Sequence, residues 1–179
     1  GLMKEVGIFP IVVHGGGPQI AERLKTKNIY SKFVEGLRVT DIDTVKIVED
    51  VLANEINTEI VKSINDSGGN AIGLSGNVNN LISATKLKVA IKDSDSNIEK
   101  IIAIGFVGQP TDVNIDLINE HILAGKIPVI APLGADKDKN SYNINADTAA
   151  GYIAGKLKAS KLLLLTDVAG VLGEDKNLI

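Results

Sequence analysis

Short apolar runs alternate along the chain with stretches of helical periodicity, and this alternation limits the possible folds more than any other feature of the sequence. Residues 8–13 are apolar and rich in β-branched side chains, and they end at His14 and the glycines at 15–17. Ile20 and Leu24 then recur at helical spacing. The segment predicts a strand, a glycine turn and a helix, the unit from which parallel sheets are built.

The rest of the chain continues this alternation. From Thr40 apolar residues fall three or four apart as far as Ile64, which predicts a long helix that could break near Asn54. We then expect a strand at 71–74, antiparallel strands within 84–107, a helix at 114–124, a strand at 127–132, a polar turn at 136–142, a helix at 146–157 and a strand at 162–166. The predicted fold class is α/β, with a mainly parallel open sheet sandwiched by helices and an antiparallel hairpin at one edge.

Composition narrows the class of protein. Hydrophobic residues make up 44% of the 179 residues and charged residues 23%, as in a globular domain with a sizeable core. The net charge is 19 − 22 = −3, without the basic stripe that nucleic-acid binding requires. The absence of cysteine excludes disulfides, thiolate metal sites and a cysteine nucleophile. No apolar run approaches the roughly 20 residues of a membrane span and no secretory signal is visible, so we expect a cytoplasmic protein without a membrane segment.

Clusters of glycine or polar residues directly follow the predicted strands. Ligands of open α/β sheets bind beyond the carboxyl ends of the strands, so we expect these clusters to share one rim of the sheet. The clusters are residues 14–17, Ser75 with Gly76, Leu133 with Gly134, and residues 166–170.

The glycines at 15–17 allow two interpretations. They lack β-carbons, so an anion could approach the main-chain amides at the start of the following helix. They could equally form a tight turn that lets helix and strand pack closely. Ile20 stands where a dinucleotide-binding pattern requires glycine, and the spacing of a Walker A loop is absent, which excludes those two patterns.

Polar residues in three loops are further candidates. Arg38 could grip a carboxylate through two hydrogen bonds, or it could be an ordinary surface arginine. Asn143, Asn145 and Asp147 precede an alanine-rich helix; one of them is expected to cap it, and the presence of three favours a binding site. Asp167 could organise a cation or a nucleotide, or it could simply occupy a turn.

The two histidines are isolated in the sequence and do not indicate metal chemistry. We expect His14 to form hydrogen bonds within the glycine turn and His121 to lie on the surface of a helix. No pattern in the sequence predicts a metal site.

Six segments form a recognisable set: VVHGGGP at 12–18, GLRVT at 36–40, GLSG at 73–76, IPVIAP at 127–132, YNINAD at 142–147 and LTDVAGVL at 165–172. Together they resemble the acetylglutamate kinases of the amino acid kinase family. The resemblance covers essentially the whole chain, and it implies the three-layer α/β/α fold of that family, here incomplete.

The resemblance implies that ATP with Mg²⁺ phosphorylates the side-chain carboxylate of N-acetyl-L-glutamate, a step of arginine biosynthesis, without a tightly bound cofactor. Asp147 would be the catalytic residue, organising lysines of the site. The substrate-binding residues implied are Gly16, Gly17, Arg38, Asn143 and Asn145. The nucleotide-binding residues implied are Asp167, Val168, Ala169, Gly170, Val171 and Leu172.

The resemblance also implies a homodimer or higher homo-oligomer. Residues 1–140 would form the acetylglutamate-binding and dimerisation half, and residues 141–179 would begin the ATP-binding half. The family's phosphate-contacting lysines lie in segments before Gly1 and beyond Ile179, so we expect little turnover from these residues alone. The loop at 77–80 also departs from the family's usual Lys-Asp-Gly. The alternatives are a non-catalytic amino-acid-binding or subunit-interaction module, and a sister kinase with another acidic substrate.

Overall fold

A computed structural model describes residues 6–92 and 99–165 of the chain. In chain order the elements are β1 (Val12–Val13), α1 (Gly17–Thr26), β2 (Phe33–Val34), β3 (Leu37–Arg38), α2 (Ile42–Glu49), a π-helical segment (Asp50–Ile56), α3 (Asn57–Asp66), β4 (Ala71–Ser75), β5 (Ile82–Lys92), β6 (Glu99–Val113), α4 (Ile115–Leu123), β7 (Ile127–Ala131), β8 (Leu133–Ala135), β9 (Ser141–Asn143) and α5 (Ala146–Lys156). None of the helices within the described ranges is both long enough and apolar enough to cross a bilayer.

A parallel sheet of the order β1-β7-β4 lies at the centre of the described structure, as the sequence predicts. Val129 of β7 is paired with Val12 on one side and with Gly73 on the other. Because β7 is the central strand and helices cover both faces of the sheet, its residues 128–131 are buried, which explains its uninterrupted apolar sequence.

Helices cover both faces of this sheet because successive residues of β7 point to opposite sides. Ile130 belongs to a core cluster with Ile118 of α4 and Ile153 of α5. Its neighbour Ala131 belongs to a second cluster, with Leu24 of α1 and Leu52 of the π-helical segment. The result is the expected three-layer α/β/α arrangement.

The long helix does not break at Asn54. It continues from α2 through the π-helical segment into α3, and Asn54 lies inside that segment. The helix begins at Asp41, whose carboxylate accepts a hydrogen bond from Thr44 N at 2.8 Å; contacts with Thr44 hold the pKa of Asp41 below its usual range. Gly68 ends it with a φ of +81°, a left-handed conformation that favours glycine.

The antiparallel strands β5 and β6 belong to a separate small barrel, in the order β5-β6-β9-β8, and do not extend the parallel sheet. Ser83 of β5 pairs with Ala135 of β8, and Val107 of β6 pairs with Asn143 of β9. The sequence predicted these two strands correctly, but the partners that close the barrel are distant in the chain and leave no local pattern.

Two local predictions differ from the structure. The predicted polar turn at 136–142 ends in a strand, Ser141–Asn143, because these residues pair with β8 and β6. Asp136 holds the turn itself: its Oδ1 atom accepts hydrogen bonds from Asp138 N and Asn140 N, both at 2.9 Å. Hydrogen bonds from Asn140 lower the pKa of Asp136 to about 2. The predicted strand at 162–166 is absent over 162–165, where no described strand pairs with the leucines and Leu165 is 95% exposed.

Candidate active site

The glycine loop lies at the carboxyl end of β1, where the central sheet meets helix α1. A β-carbon on Gly16 would collide with Ile56 Cδ1 and would lie 2.9 Å from Leu52 Cδ2. A β-carbon on Gly17 would meet nothing within 4 Å. The two interpretations of these glycines therefore apply to different positions, since Gly16 allows close packing and Gly17 faces open space.

The start of α1 is suited to binding an anion. Gly16 provides no side-chain cap, and the first turn contains no acidic residue. The first amides of a helix have no partner within it, and the helix dipole places partial positive charge there. This end of α1 can therefore stabilise a carboxylate or a phosphoryl group.

Arg38 is buried next to this loop and is not a surface arginine. Its side chain is 7% exposed, and Nη2 donates a hydrogen bond to the Gly17 carbonyl at 3.1 Å. Nη1 donates to Ser31 Oγ, and the guanidinium lies 4.7 Å from the centre of the Phe33 ring. Burial lowers the pKa of Arg38, but guanidinium remains charged in proteins.

No acidic side chain within residues 6–92 and 99–165 forms an ion pair with Arg38. Two of its five N–H groups are used by Gly17 and Ser31, which leaves donors for a further partner. A buried charge is costly unless it is compensated, so the arrangement fits an anionic ligand.

The backbone of Arg38 is fixed by the strand next to it. Thr40 Oγ1 donates to the Arg38 carbonyl at 2.8 Å, and Thr40 N donates to Ile104 O at 3.0 Å. Gly105 approaches Thr40 so closely that a β-carbon there would collide with the Thr40 carbonyl. The loop carrying Arg38 is therefore tied to β6.

The asparagines and the aspartate at the start of α5 occupy different positions. Asn143 is half-buried on β9, paired with Leu133 and Val107. The sequence predicted that one of the three caps α5, and the cap is Asn145, whose Oδ1 atom accepts a hydrogen bond from Thr148 N at 2.9 Å. Asp147 is exposed in the first turn of α5.

The two helix starts meet at the same rim of the sheet. A β-carbon on Gly15 would lie 3.7 Å from Ala146 Cβ, which places the glycine loop beside the first residue of α5. Gly76 also lies at this rim, where Gly76 N donates to Ala131 O at 3.1 Å. A β-carbon on Gly76 would collide with the Leu133 carbonyl, so this glycine serves packing.

Three of the four predicted clusters therefore lie at the carboxyl ends of the parallel strands. Residues 14–17 follow β1, Ser75 with Gly76 ends β4, and Leu133 with Gly134 comes shortly after β7. The fourth, at 166–170, lies outside the described residues. The same is true of all the predicted nucleotide-binding residues, which are Asp167, Val168, Ala169, Gly170, Val171 and Leu172.

His14 forms the hydrogen bond expected within the glycine turn, and a second one that the sequence did not predict. Its Nδ1 atom is 3.0 Å from Gly15 O, and its Nε2 atom is 3.1 Å from Nδ2 of Asn57. Burial lowers the pKa of His14. His121, expected on the surface, is half-buried on α4.

The side chains of Asn57 and Asn77 form hydrogen bonds that the sequence did not predict. Asn77, in the loop that departs from the family pattern, donates through Nδ2 to Glu49 Oε1 at 2.7 Å and to Ser141 Oγ at 2.9 Å. It thereby links the end of α2 to β9, the strand that carries Asn143. A single asparagine in a loop or helix gives no periodic signal, and only its partners identify it.

Among residues 6–92 and 99–165, no three histidine, aspartate or glutamate side chains are grouped so that they could hold an ion. The rim instead offers amides, a guanidinium and asparagine side chains, which recognise carboxylates and phosphates.

A model of the amino acid kinase family matches residues 1–179. An acetylglutamate kinase of Rhodospirillum centenum is 57% identical to the chain over 178 residues, which are 99% of this chain and 58% of that protein. The crystal structure of smu.665 from Streptococcus mutans UA159 has a TM-score of 0.83 at 30% identity, covering 96% of this chain and 65% of that one.

The N-acetylglutamate synthase of Neisseria gonorrhoeae, solved with coenzyme A and N-acetyl-glutamate, shares the fold with a TM-score of 0.76 at 21% identity, over 99% of this chain and 38% of that one. The chain thus spans less than two thirds of the length of the curated relatives it matches. Because the family model matches every residue, the chain belongs to the amino acid kinase family.

Proposed function

We propose that the protein binds N-acetyl-L-glutamate and phosphorylates its side-chain carboxylate with ATP, in the biosynthesis of arginine. The observation that carries this proposal is Arg38, a buried guanidinium held against the glycine loop without an acidic partner among the described residues. Relatives at 51–57% identity that are acetylglutamate kinases support the same substrate.

The substrate would lie between the glycine loop and the start of α5. Arg38 would pair with the main-chain carboxylate, because its remaining N–H groups suit a two-oxygen acceptor. Amides of Gly16 and Gly17 would receive the carboxylate that reacts. Asn143 and Asn145 would hold the acetamido group. The capping bond of Asn145 uses its Oδ1 atom, and its amide N–H₂ has no acceptor among the described residues, so it can donate to the substrate.

The reaction requires positioning and charge neutralisation more than covalent help from the protein. A carboxylate oxygen of the substrate attacks the γ-phosphorus of ATP, the bond from that phosphorus to the β–γ bridging oxygen breaks, and ADP leaves. Amides at the start of α1 would stabilise negative charge that builds up on the transferring group. We propose that Asp147 organises the cationic groups of the site, and that Mg²⁺ arrives with ATP as part of the co-substrate.

We also propose the division into two halves, 1–140 and 141–179. Strand β9, which would begin the second half, pairs in the small barrel with β8 and β6, which would belong to the first. The proposed nucleotide-binding residues at 167–172 would extend the second half. We further propose a cytoplasmic homodimer or higher homo-oligomer built on the first half, which sedimentation of the intact protein tests directly.

Calorimetric titration of the intact protein with N-acetyl-L-glutamate tests the substrate, with L-glutamate as the control ligand. We expect heat with the acetylated compound and little with L-glutamate, because the amide donors at Asn143 and Asn145 have no acetyl oxygen to bind in the latter. Release of ADP that depends on N-acetyl-L-glutamate tests the reaction. Binding without ADP release would favour a non-catalytic module, and release with a different acidic substrate would favour a sister kinase.

A further inference from the structure

The buried contact between α3 and the glycine loop has no role in the function described so far. Asn57, the first residue of α3, is 4% exposed, and His14 is 7% exposed. They are 43 positions apart in the chain, and their side chains meet directly below the loop. Neither residue is placed to contact the substrate in the arrangement proposed above.

Asn57 is held in one orientation by its neighbours in the central sheet. Its Nδ2 group donates to the Val129 carbonyl of β7 at 2.9 Å. Its Oδ1 atom occupies the space where a β-carbon of residue 73 would lie, so Gly73 of β4 is what makes room for the amide. The side chain therefore touches the two neighbouring strands. If its amide group were reversed, Oδ1 would face the Val129 carbonyl oxygen, and two hydrogen-bond acceptors would be in contact.

This orientation determines which nitrogen of His14 carries the proton. The Asn57 Nδ2 group has two hydrogens, one for Val129 O and one for His14 Nε2 at 3.1 Å. Nε2 must then be an unprotonated acceptor. The proton of the neutral ring lies on Nδ1, which donates to Gly15 O at 3.0 Å.

We propose that Asn57 and His14 are positioning residues that fix the glycine loop for substrate binding by holding His14 in the Nδ1–H tautomer. The chain of contacts runs from Val129 in the sheet through Asn57 and His14 to the Gly15 carbonyl. Gly15 precedes the two glycines whose amides face the reacting carboxylate, so a shift of its carbonyl moves those amides. This inference rests on the proposed function for the identity of the ligand.

The tautomer is read in the wild-type protein by long-range ¹H–¹⁵N correlation spectra of protein labelled with ¹⁵N-histidine. We expect His14 to show a protonated Nδ1 and an unprotonated Nε2 at neutral pH, with the signal assigned by its loss in H14Q. A proton on Nε2, or on both nitrogens, would overturn the proposal without any need for a positioning variant to fold.

Asn57→Asp tests the effect on the site. A carboxylate cannot donate, so Nε2 of His14 should acquire a proton and the ring should become an imidazolium. The imidazolium would keep its Nδ1–H, but a carboxylate cannot donate to the Val129 carbonyl, so the side chain at position 57 would lose its anchor on β7. The His14 ring and the Gly15 carbonyl would shift with it, and we expect affinity for N-acetyl-L-glutamate to fall by about tenfold to 100-fold. Gly73→Ala, which displaces the Asn57 amide while keeping every hydrogen-bonding group, should alter the His14 signals and the affinity in the same sense.

Asn65→Asp is the matched control. Asn65 lies on the same helix and binds the same sheet through Ala71, whose N–H donates to its Oδ1 at 2.6 Å. Its Nδ2 group also donates to Ala71 O at 3.3 Å, and this is the bond that a carboxylate would lose. That contact is at the opposite end of β4 from the glycine loop. We expect N65D to lower stability but to leave the tautomer of His14 and the affinity unchanged.

Equal loss of affinity in N65D and N57D, or an unchanged His14 spectrum in N57D, would contradict the positioning role. Failure of the wild-type protein to bind N-acetyl-L-glutamate would instead refute the proposed function. The wild-type tautomer would still be tested in that case, so the two failures are distinguishable.

Discussion

The glycine-loop side of the site and the α5 side are held in different ways. On the first side, buried polar groups tie the loop to the core: Arg38 binds the Gly17 carbonyl, and His14 binds the Gly15 carbonyl. On the second side, Asn145 is exposed and binds only the first turn of its own helix among its described hydrogen bonds. Side chains on the first side are thus positioned by contacts across the fold, and Asn145 is positioned by local structure.

The binding energy should therefore be concentrated on the glycine-loop side. Donors that are already oriented lose little conformational freedom when a ligand binds, so they contribute more of their interaction energy to affinity. Exposed side chains must first lose conformational freedom and bound water, and this cost reduces what they contribute to affinity. We therefore expect substitutions on the buried side to reduce affinity more than substitutions at the start of α5.

The largest effect is expected for Arg38→Ala. Removing the two charge-assisted hydrogen bonds that we propose Arg38 makes to the substrate should cost about 3 kcal/mol, so affinity for N-acetyl-L-glutamate should fall about 100-fold in a calorimetric titration. Arg38→Lys should recover little of the loss, because an ammonium cannot reproduce the planar fork.

Arg23→Ala is the matched control for Arg38. Arg23 is a partly exposed arginine of α1, paired with Glu55 at 2.5 Å. Its removal should leave affinity unchanged, because exposed ion pairs contribute little and this one is separate from the loop. Normal binding by folded R38A would show that the buried guanidinium contributes nothing to affinity.

The second largest effect distinguishes two adjacent glycines. Gly16→Ala places a methyl group against Ile56 and Leu52, and should cost about 1–3 kcal/mol of unfolding free energy. Gly17→Ala meets open space at the start of a helix, so stability should be retained within about 0.5 kcal/mol or improve. Chemical denaturation of both variants gives the two values, and equal destabilisation would contradict the packing role assigned to Gly16.

The backbone of this side of the site could be predicted from sequence, because its strand, turn and helix follow local patterns. The apolar run before His14, the glycines after it and the helical spacing from Ile20 predict the strand, the turn and α1. The helix cap at Asn145 is likewise a local pattern. Sequence left open which glycine packs and whether Arg38 is buried, since both depend on residues far away in the chain.

Other features could not be predicted because they arise from long-range contacts. Asn57 acquires its role only when α3 places it against Val129 and His14. The strand at Ser141–Asn143 exists because β6 and β8 pair with it, and the leucines at 162–165 are not a strand because no described partner pairs with them. An apolar run indicates that a segment can form a strand, but it does not identify the strand that pairs with it.

A smaller effect is expected at the caps of two helices. Asn145→Ala removes the hydrogen bond from Thr148 N and should cost about 1 kcal/mol of stability. A modest loss of affinity should accompany it, because we propose that the amide of Asn145 also contacts the substrate. Asn114→Ala removes the corresponding cap of α4, where Oδ1 accepts from Leu117 N at 3.2 Å. It should cost similar stability and no affinity. Thermal unfolding and calorimetry of the pair separate capping from binding.

The smallest effect is a dependence of stability on pH that arises from His14. Burial holds the pKa of His14 below 6.5, and its hydrogen-bond partners, Gly15 and Asn57, carry no charge. The unfolded chain therefore binds a proton more readily than the folded one. The stability that neutral His14 contributes is complete above pH 6.5 and is lost as the pH falls towards the lower pKa of His14 in the folded state.

Denaturation curves between about pH 5.5 and pH 7.5 measure this slope, a range in which Asp136, with a pKa of about 2, stays ionised. The unfolding free energy should decrease towards the acid end in the wild type and in H121Q, which keeps His14. In H14Q the dependence should be weaker. A slope that is the same in H14Q and H121Q would place the acid sensitivity elsewhere, and the glycine-loop side would then owe its order to Arg38 and packing, without a contribution from a neutral histidine.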